Sequence, residues 1–305
     1  MGSGSYSYSS AYARSSARAS FAASVSDTVF REKTFKQRSL DSEMNIYGKV
    51  RESRDSEEHP NSFPIIIALD TTGSMGRIPQ ELVTGAFPEV MKNIIEAGIP
   101  DPQVCFIGVG DTYYDNAPIQ CGQFESSDEL MEKWLQKVYL EGGGGGNTGE
   151  SYNLAWYFAN YHTVTDAWEK RQQKGVIITI GDEPCLKEIP KNDIKHLFGD
   201  SVQSGKTSSQ LLNEVKDKWE VFHIHMGDES YYSSVIAKWQ ELVGEDKMFV
   251  LKRENSNIIS VISSIILNVY NSKNTNNSVI TENTDNKTDN TTDNTTNVID
   301  TKITL

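Results

Sequence analysis

Three stretches of this chain carry oxygen donors at spacings that suit a hard cation. The first is Asp70-Thr71-Thr72-Gly73-Ser74, where a carboxylate and two hydroxyls occupy alternate positions at Asp70, Thr72 and Ser74. Gly73 lets the backbone curl so that these side chains converge. The second is the run Gly142–Gly146 followed by Asn147-Thr148-Gly149-Glu150, which offers the hydroxyl of Thr148. The third is Gly181-Asp182-Glu183-Pro184, which offers the carboxylate of Asp182. Carboxylates and hydroxyls are ligands for Mg²⁺ or Mn²⁺, and Mg²⁺ takes about six oxygens at ~2.0–2.1 Å.

Elements read from the hydrophobic pattern place these donors together. Residues 64–69 (PIIIAL) form a continuous apolar run rich in β-branched side chains, the signature of a strand buried on both faces. Runs at 103–109, 175–180, 220–226 and 248–251 read the same way, and 118–124 reads as a short edge strand. Helical spacing appears between them: around 83–95, where Pro88 should kink the helix, and at 127–138, 154–161, 191–197, 208–218, 232–243 and 258–269. Strands alternating with helices imply a Rossmann-like, doubly wound α/β domain with a mostly parallel six-stranded sheet. Ligands of such sheets sit beyond the carboxyl ends of the strands. Asp70 and Asp182 both directly follow a strand, so they are expected at that end.

These residues resemble the metal ion-dependent adhesion site (MIDAS) of von Willebrand factor A domains, written D-x-S-x-S with a distant Thr and a distant Asp. Here the pattern is Asp70-x-Thr72-x-Ser74, with Thr72 in place of a Ser; Thr148 looks like the distant Thr and Asp182 like the distant Asp. The order of strands and helices over 62–271 is also similar, and 51–76 resembles stand-alone bacterial and phage members. The resemblance implies a Mg²⁺ (or Mn²⁺) site whose open coordination position accepts an Asp or Glu carboxylate from a protein partner. It further implies a docking module rather than an enzyme, working in a multiprotein assembly.

Other chemistries fit less well. Gly144-x-Gly146-x-x-Gly149 matches a dinucleotide-binding pattern but follows no first strand, and a five-glycine run satisfies such patterns easily. Gly205-Lys206-Thr207 lacks the strand and glycine of a P-loop. An aspartyl-phosphate enzyme wants a second Asp where Thr72 stands. A Mg²⁺-dependent hydrolase using Asp70 and Asp182 is the alternative from another class. His223 and His225 share one strand face, but no third zinc ligand is evident, and a packed pair is the simpler expectation. Asp111 and Asp115 are candidates for an acidic rim, and Tyr113, Tyr114, Tyr231 and Tyr232 for contact aromatics.

The 305 residues carry a formal net charge of −13, nearly all of it on 61–272. An acidic fold repels phosphate backbones, which disfavours nucleic acid. Three cysteines without close spacing suggest no disulfide framework and a reducing compartment. With no apolar leader and no apolar run of transmembrane length, the expectation is a cytoplasmic chain without membrane association. Residues 1–61 are expected as a flexible arm, 62–271 as the domain, and 272–305 as a disordered Asn/Thr/Asp-rich tail. Within the arm, 1–28 show no helical period, while 29–60 either pack on the domain or remain a linker. A second reading gives assembly to that arm and leaves the metal a stabilising part.

Overall fold

The computed structural model describes residues 4–141, 149–253 and 257–282. The compact body of the chain ends at Tyr270. It opens with α1 (Tyr8–Ser24), α2 (Asp27–Thr34) and the short strand β1 (Arg51–Ser53). The central run then gives β2 (Ser62–Asp70), α3 (Ile78–Glu81), a π-helical turn (Leu82–Ala86), α4 (Phe87–Glu96), β3 (Asp101–Val109), β4 (Ile119–Cys121) and α5 (Asp128–Gln136). There follow α6 (Asn153–Tyr161), β5 (Thr163–Thr165), α7 (Asp166–Arg171), β6 (Gly175–Gly181), β7 (Glu188–Ile189), α8 (Lys191–Phe198), β8 (Lys206–Thr207) and α9 (Ser208–Val215). The last elements are β9 (Trp219–Met226), α10 (Glu229–Val243), β10 (Met248–Leu251) and α11 (Ile258–Glu282).

Six strands form the main sheet in the order β10-β9-β6-β2-β3-β4. Every pair is parallel except β3–β4, which is antiparallel and closes one edge. This is the doubly wound α/β sheet that the alternating pattern predicts, with β2 and β6 adjacent at its centre. The strand period of two divides the core. Phe63, Ile65, Ile67 and Leu69 of β2 enter one apolar cluster with α4, α5 and α11, whereas Ile66 and Ala68 enter the other with α6, α8, α9 and α10. Burial on both faces explains why these strands read as unbroken apolar runs. The edge strand of the sheet falls inside the predicted 118–124, and the predicted helices fall on α4–α6 and α8–α11. Pro88, expected to kink a helix, instead lies in the first turn of α4, directly after the π turn.

The N-terminal stretch departs from the sequence reading. Residues expected to lack periodic structure form α1, capped by the Ser7 hydroxyl accepting from Ser10 N–H. The helix has no apolar stripe because small side chains and ion pairs seat it: Ala11 and Ser15 are buried, Arg14 reaches Asp128 and Glu132 of α5, and Arg18 reaches Glu132. Hydrophobic periodicity cannot see such a contact. Between 29 and 60, Phe30, Phe35, Met44 and Ile46 are buried, and β1 pairs in parallel with β5. Of the two options open for that segment, packing on the domain is the one observed. Cys105 and Cys121 are free and buried, with sulfurs 3.5 Å apart. The tail expected to be disordered from 272 continues as α11 to Glu282, and residues 283–305 lie outside the described residues.

Candidate metal centre

At the carboxyl end of β2 the chain is pinned to its neighbour before it turns. Thr71 donates its N–H and its hydroxyl to the Val109 carbonyl of β3, at 2.8 and 3.0 Å. A single 3₁₀ turn, Gly73–Met75, follows. This geometry folds Asp70, Thr72 and Ser74 into one network. Asp70 Oδ1 accepts the Thr72 N–H at 2.8 Å and the Thr72 hydroxyl at 2.7 Å. Thr72 Oγ1 lies 3.0 Å from Ser74 Oγ, which in turn donates to Asp182 Oδ1 at 2.9 Å. Asp182 directly follows β6, the strand beside β2. Four of the five donors expected from the sequence are therefore within one chain of hydrogen bonds. The fifth, Thr148, lies outside the described residues. The residues after it are placed: Glu150 N–H donates to the Pro184 carbonyl and Leu186 N–H donates to the Glu150 carbonyl, both at 2.9 Å, which stitches the exit of the glycine run to the Asp182 loop.

Each hydroxyl has one hydrogen and spare lone pairs, and Thr72 and Ser74 bridge the two carboxylates with their own oxygens 3.0 Å apart. Neighbouring oxygens around Mg²⁺, at ~2.0–2.1 Å from the ion, stand about 2.9 Å apart. The hydroxyl pair has a hydrogen-bond spacing that is also compatible with a shared small cation.

Electrostatics points the same way. Asp70 is fully buried, and burial followed by the charge of Asp182 pushes its carboxyl up to about 7, against the pull of hydrogen bonds from Thr72 and Tyr152. Glu150, 6% exposed, is pushed up to about 10 by burial and then by Asp70, Asp115 and Asp111. Glu150 Oε2 and Asp111 Oδ2 are buried without a hydrogen-bond partner. Buried carboxylates that raise one another's proton affinity are groups that a divalent cation would relieve. Among the described residues, no three His, Cys, Asp or Glu side chains converge into a metal cage. The donor set is instead two carboxylates with two hydroxyls, and the oxygen chemistry fits Mg²⁺ or Mn²⁺.

Two residues of the centre escaped the sequence reading. Tyr152, fully buried at the start of α6, donates its hydroxyl to Asp70 Oδ2 at 2.8 Å. Arg253, just past β10, donates to Asp182 Oδ2, to the Ser74 carbonyl and, through Nε at 3.2 Å, to the Met226 carbonyl. For Arg253 the available signal was position, since residues that follow parallel strands line the ligand crevice.

The solved structures with a similar fold include the pilus adhesin SpaC from Lactobacillus rhamnosus GG in its open conformation. It is 13% identical with a TM-score of 0.43, over 73% of this chain and 30% of the adhesin. Proximal thread matrix protein 1 from the mussel byssus, solved with a zinc-occupied MIDAS motif, is 13% identical with a TM-score of 0.41, over 72% of this chain and 46% of that protein. The chain thus spans less than half the length of either. Likeness this distant carries no argument about function. No protein-family model and no curated protein matches the sequence.

The remaining candidates fall into place around the centre. His223 and His225 are both fully buried. His223 stacks on Trp239 with ring centroids 3.5 Å apart and holds Thr179 Oγ1 at 2.9 Å from Nδ1. Burial drives His225 down to about 4, with Asp182 opposing and Arg253 assisting. Asp111 and Asp115 brace the turn after β3: Asp115 Oδ2 accepts the Asp111 N–H at 2.7 Å. That turn presents Tyr113 and Tyr114 at 61% and 57% exposure. Tyr232 packs edge-on against His225; the side chain of Tyr231 lies outside the described residues. No helix among the described residues is long and apolar enough to cross a membrane.

Proposed function

We propose that this chain is a von Willebrand factor A-like module that binds a protein partner through a divalent cation. Asp70, Thr72, Ser74 and Asp182 would hold Mg²⁺ or Mn²⁺, with Thr148 as a further donor from the glycine-rich loop. The ion would supply an electrophilic position for an Asp or Glu side chain of the partner. The observation that carries this reading is the convergence of Asp70, Thr72, Ser74 and Asp182 at the carboxyl ends of two adjacent strands, with the Thr72 and Ser74 oxygens 3.0 Å apart. The acidity of the centre would explain why a metal is needed: without it, the negative charge shared by Asp70 and Asp182 would repel an incoming carboxylate. The exposed Tyr113 and Tyr114 on their braced turn offer apolar contact area beside the ion, as interface aromatics do.

Mn²⁺ binding to the full chain, followed by electron paramagnetic resonance, tests the proposal. One site is expected, lost in Asp70→Asn and in Asp182→Asn while the circular dichroism spectrum is kept. Absence of binding up to millimolar Mn²⁺ would refute it. Where binding is found, partner capture in Mg²⁺ but not in EDTA completes the case, and capture that ignores EDTA would move the search to the N-terminal segment.

A further inference from the structure

We propose that Arg253 is a tethered cation that shares Asp182 with the metal and sets the affinity of the centre. This inference rests on the metal reading above. Arg253 leaves the sheet just past β10 and grips three separate loops: Asp182 after β6, the Ser74 carbonyl after β2 and the Met226 carbonyl at the end of β9. Its side chain keeps 33% of its exposure, against 2% for Asp182, so it enters the centre from the solvent side. Asp182 then has both oxygens engaged, Oδ1 by the Ser74 hydroxyl and Oδ2 by the guanidinium.

A guanidinium cannot lose its charge at any ordinary pH. A dipositive ion bound among Asp70, Thr72, Ser74 and Asp182 would lie within a few ångströms of it. Like charges at that distance repel strongly in a partly buried site. Binding the metal therefore requires Arg253 to yield Asp182, or the ion to tolerate it nearby; both weaken the metal's hold. The same contact has a use. Where no metal is bound, Arg253 balances part of the negative charge that Asp70 and Asp182 bring together. It thus suits a centre that must fold before it is filled.

The test compares Mn²⁺ affinities of the full chain, of Arg253→Gln and of Arg253→Lys at one ionic strength, with circular dichroism as the check on folding. Loss of the charge in Arg253→Gln should tighten Mn²⁺ binding about tenfold, and Arg253→Lys should stay within about threefold of the parent. A Gln variant that binds Mn²⁺ equally or more weakly overturns the proposal, since Arg253 would then only orient Asp182. Equal affinities in all three proteins would remove this inference and leave the metal reading standing. Failure of all three to bind Mn²⁺ would remove both.

Discussion

The phenol of Tyr152 reaches Asp70 Oδ2 at 2.8 Å only because residue 181 is glycine: a Cβ there would stand 1.7 Å from the phenol oxygen. Two strand ends and a helix start are thereby locked to one another, namely Asp70 at the end of β2, Gly181 at the end of β6 and the start of α6. Tyr152→Phe leaves a fully buried carboxylate oxygen without its donor. Urea unfolding in EDTA should show a loss of about 1–3 kcal/mol. Gly181→Ala should cost more, because the ring must move as well as its hydroxyl. A Tyr152→Phe protein as stable as the parent would mean that water serves Asp70 equally well.

Thermal unfolding with and without metal gives a second expectation. A cation that binds only the folded state, at several times its dissociation constant, adds about 1 kcal/mol, or about 2–4 °C at this size. The rise should appear with Mg²⁺ and with Mn²⁺, vanish in EDTA and be absent from Asp70→Asn. A rise that survives in Asp70→Asn would place the stabilising ion elsewhere.

The contrast between strand ends and helix faces shows what was legible beforehand. The triple isoleucine Ile65–Ile67 announces a strand buried on both faces, and the Asp, Thr and Ser that follow it are local in sequence, so both the sheet and half of the centre can be read directly. Asp182 is legible because it too follows such a strand. Arg253 and Tyr152 belong to the same end of the sheet, but Arg253 is marked only by following a strand and Tyr152 by nothing local; each meets Asp70 or Asp182 across a long sequence separation, through tertiary geometry. The helix α1 was illegible for a different reason. It docks by Arg14, Arg18 and small residues, so it lacks the apolar stripe by which helices are recognised.

That docking can be measured. Tyr6 and Ala11 of the N-terminal segment line a crevice with Leu82, Phe87 and Leu135 of the domain. Deleting residues 1–25 should uncover this apolar patch, lower the melting temperature by several degrees and raise binding of a hydrophobic dye. Arg14→Ala alone should cost only about 1 kcal/mol, because the side chain keeps 29% exposure and water partly replaces its partners. A deletion protein with unchanged melting temperature would show that α1 merely rests on the surface.

On the opposite end of the sheet, Asp55 supplies a pH-dependent clasp. Burial alone would raise its carboxyl, but hydrogen bonds from Arg171, Ser62 and Lys170 outweigh burial and hold it well below the usual carboxylate range. Arg171 bonds both Asp55 oxygens, at 2.7 and 3.1 Å, and Asp166 accepts the Asp55 N–H at 2.9 Å. A carboxyl whose folded pKa lies below its unfolded value stabilises the fold above the unfolded value, and that contribution is lost as pH falls toward the folded one. The stability gap between the parent and Asp55→Asn should therefore be constant from pH 7 down to about 5 and shrink steadily below about 4. Urea unfolding at pH 7, 5, 4 and 3 measures it. A gap that stays level to pH 3 would mean that Asp55 acts through shape and hydrogen bonding that asparagine fails to copy, and not through its charge.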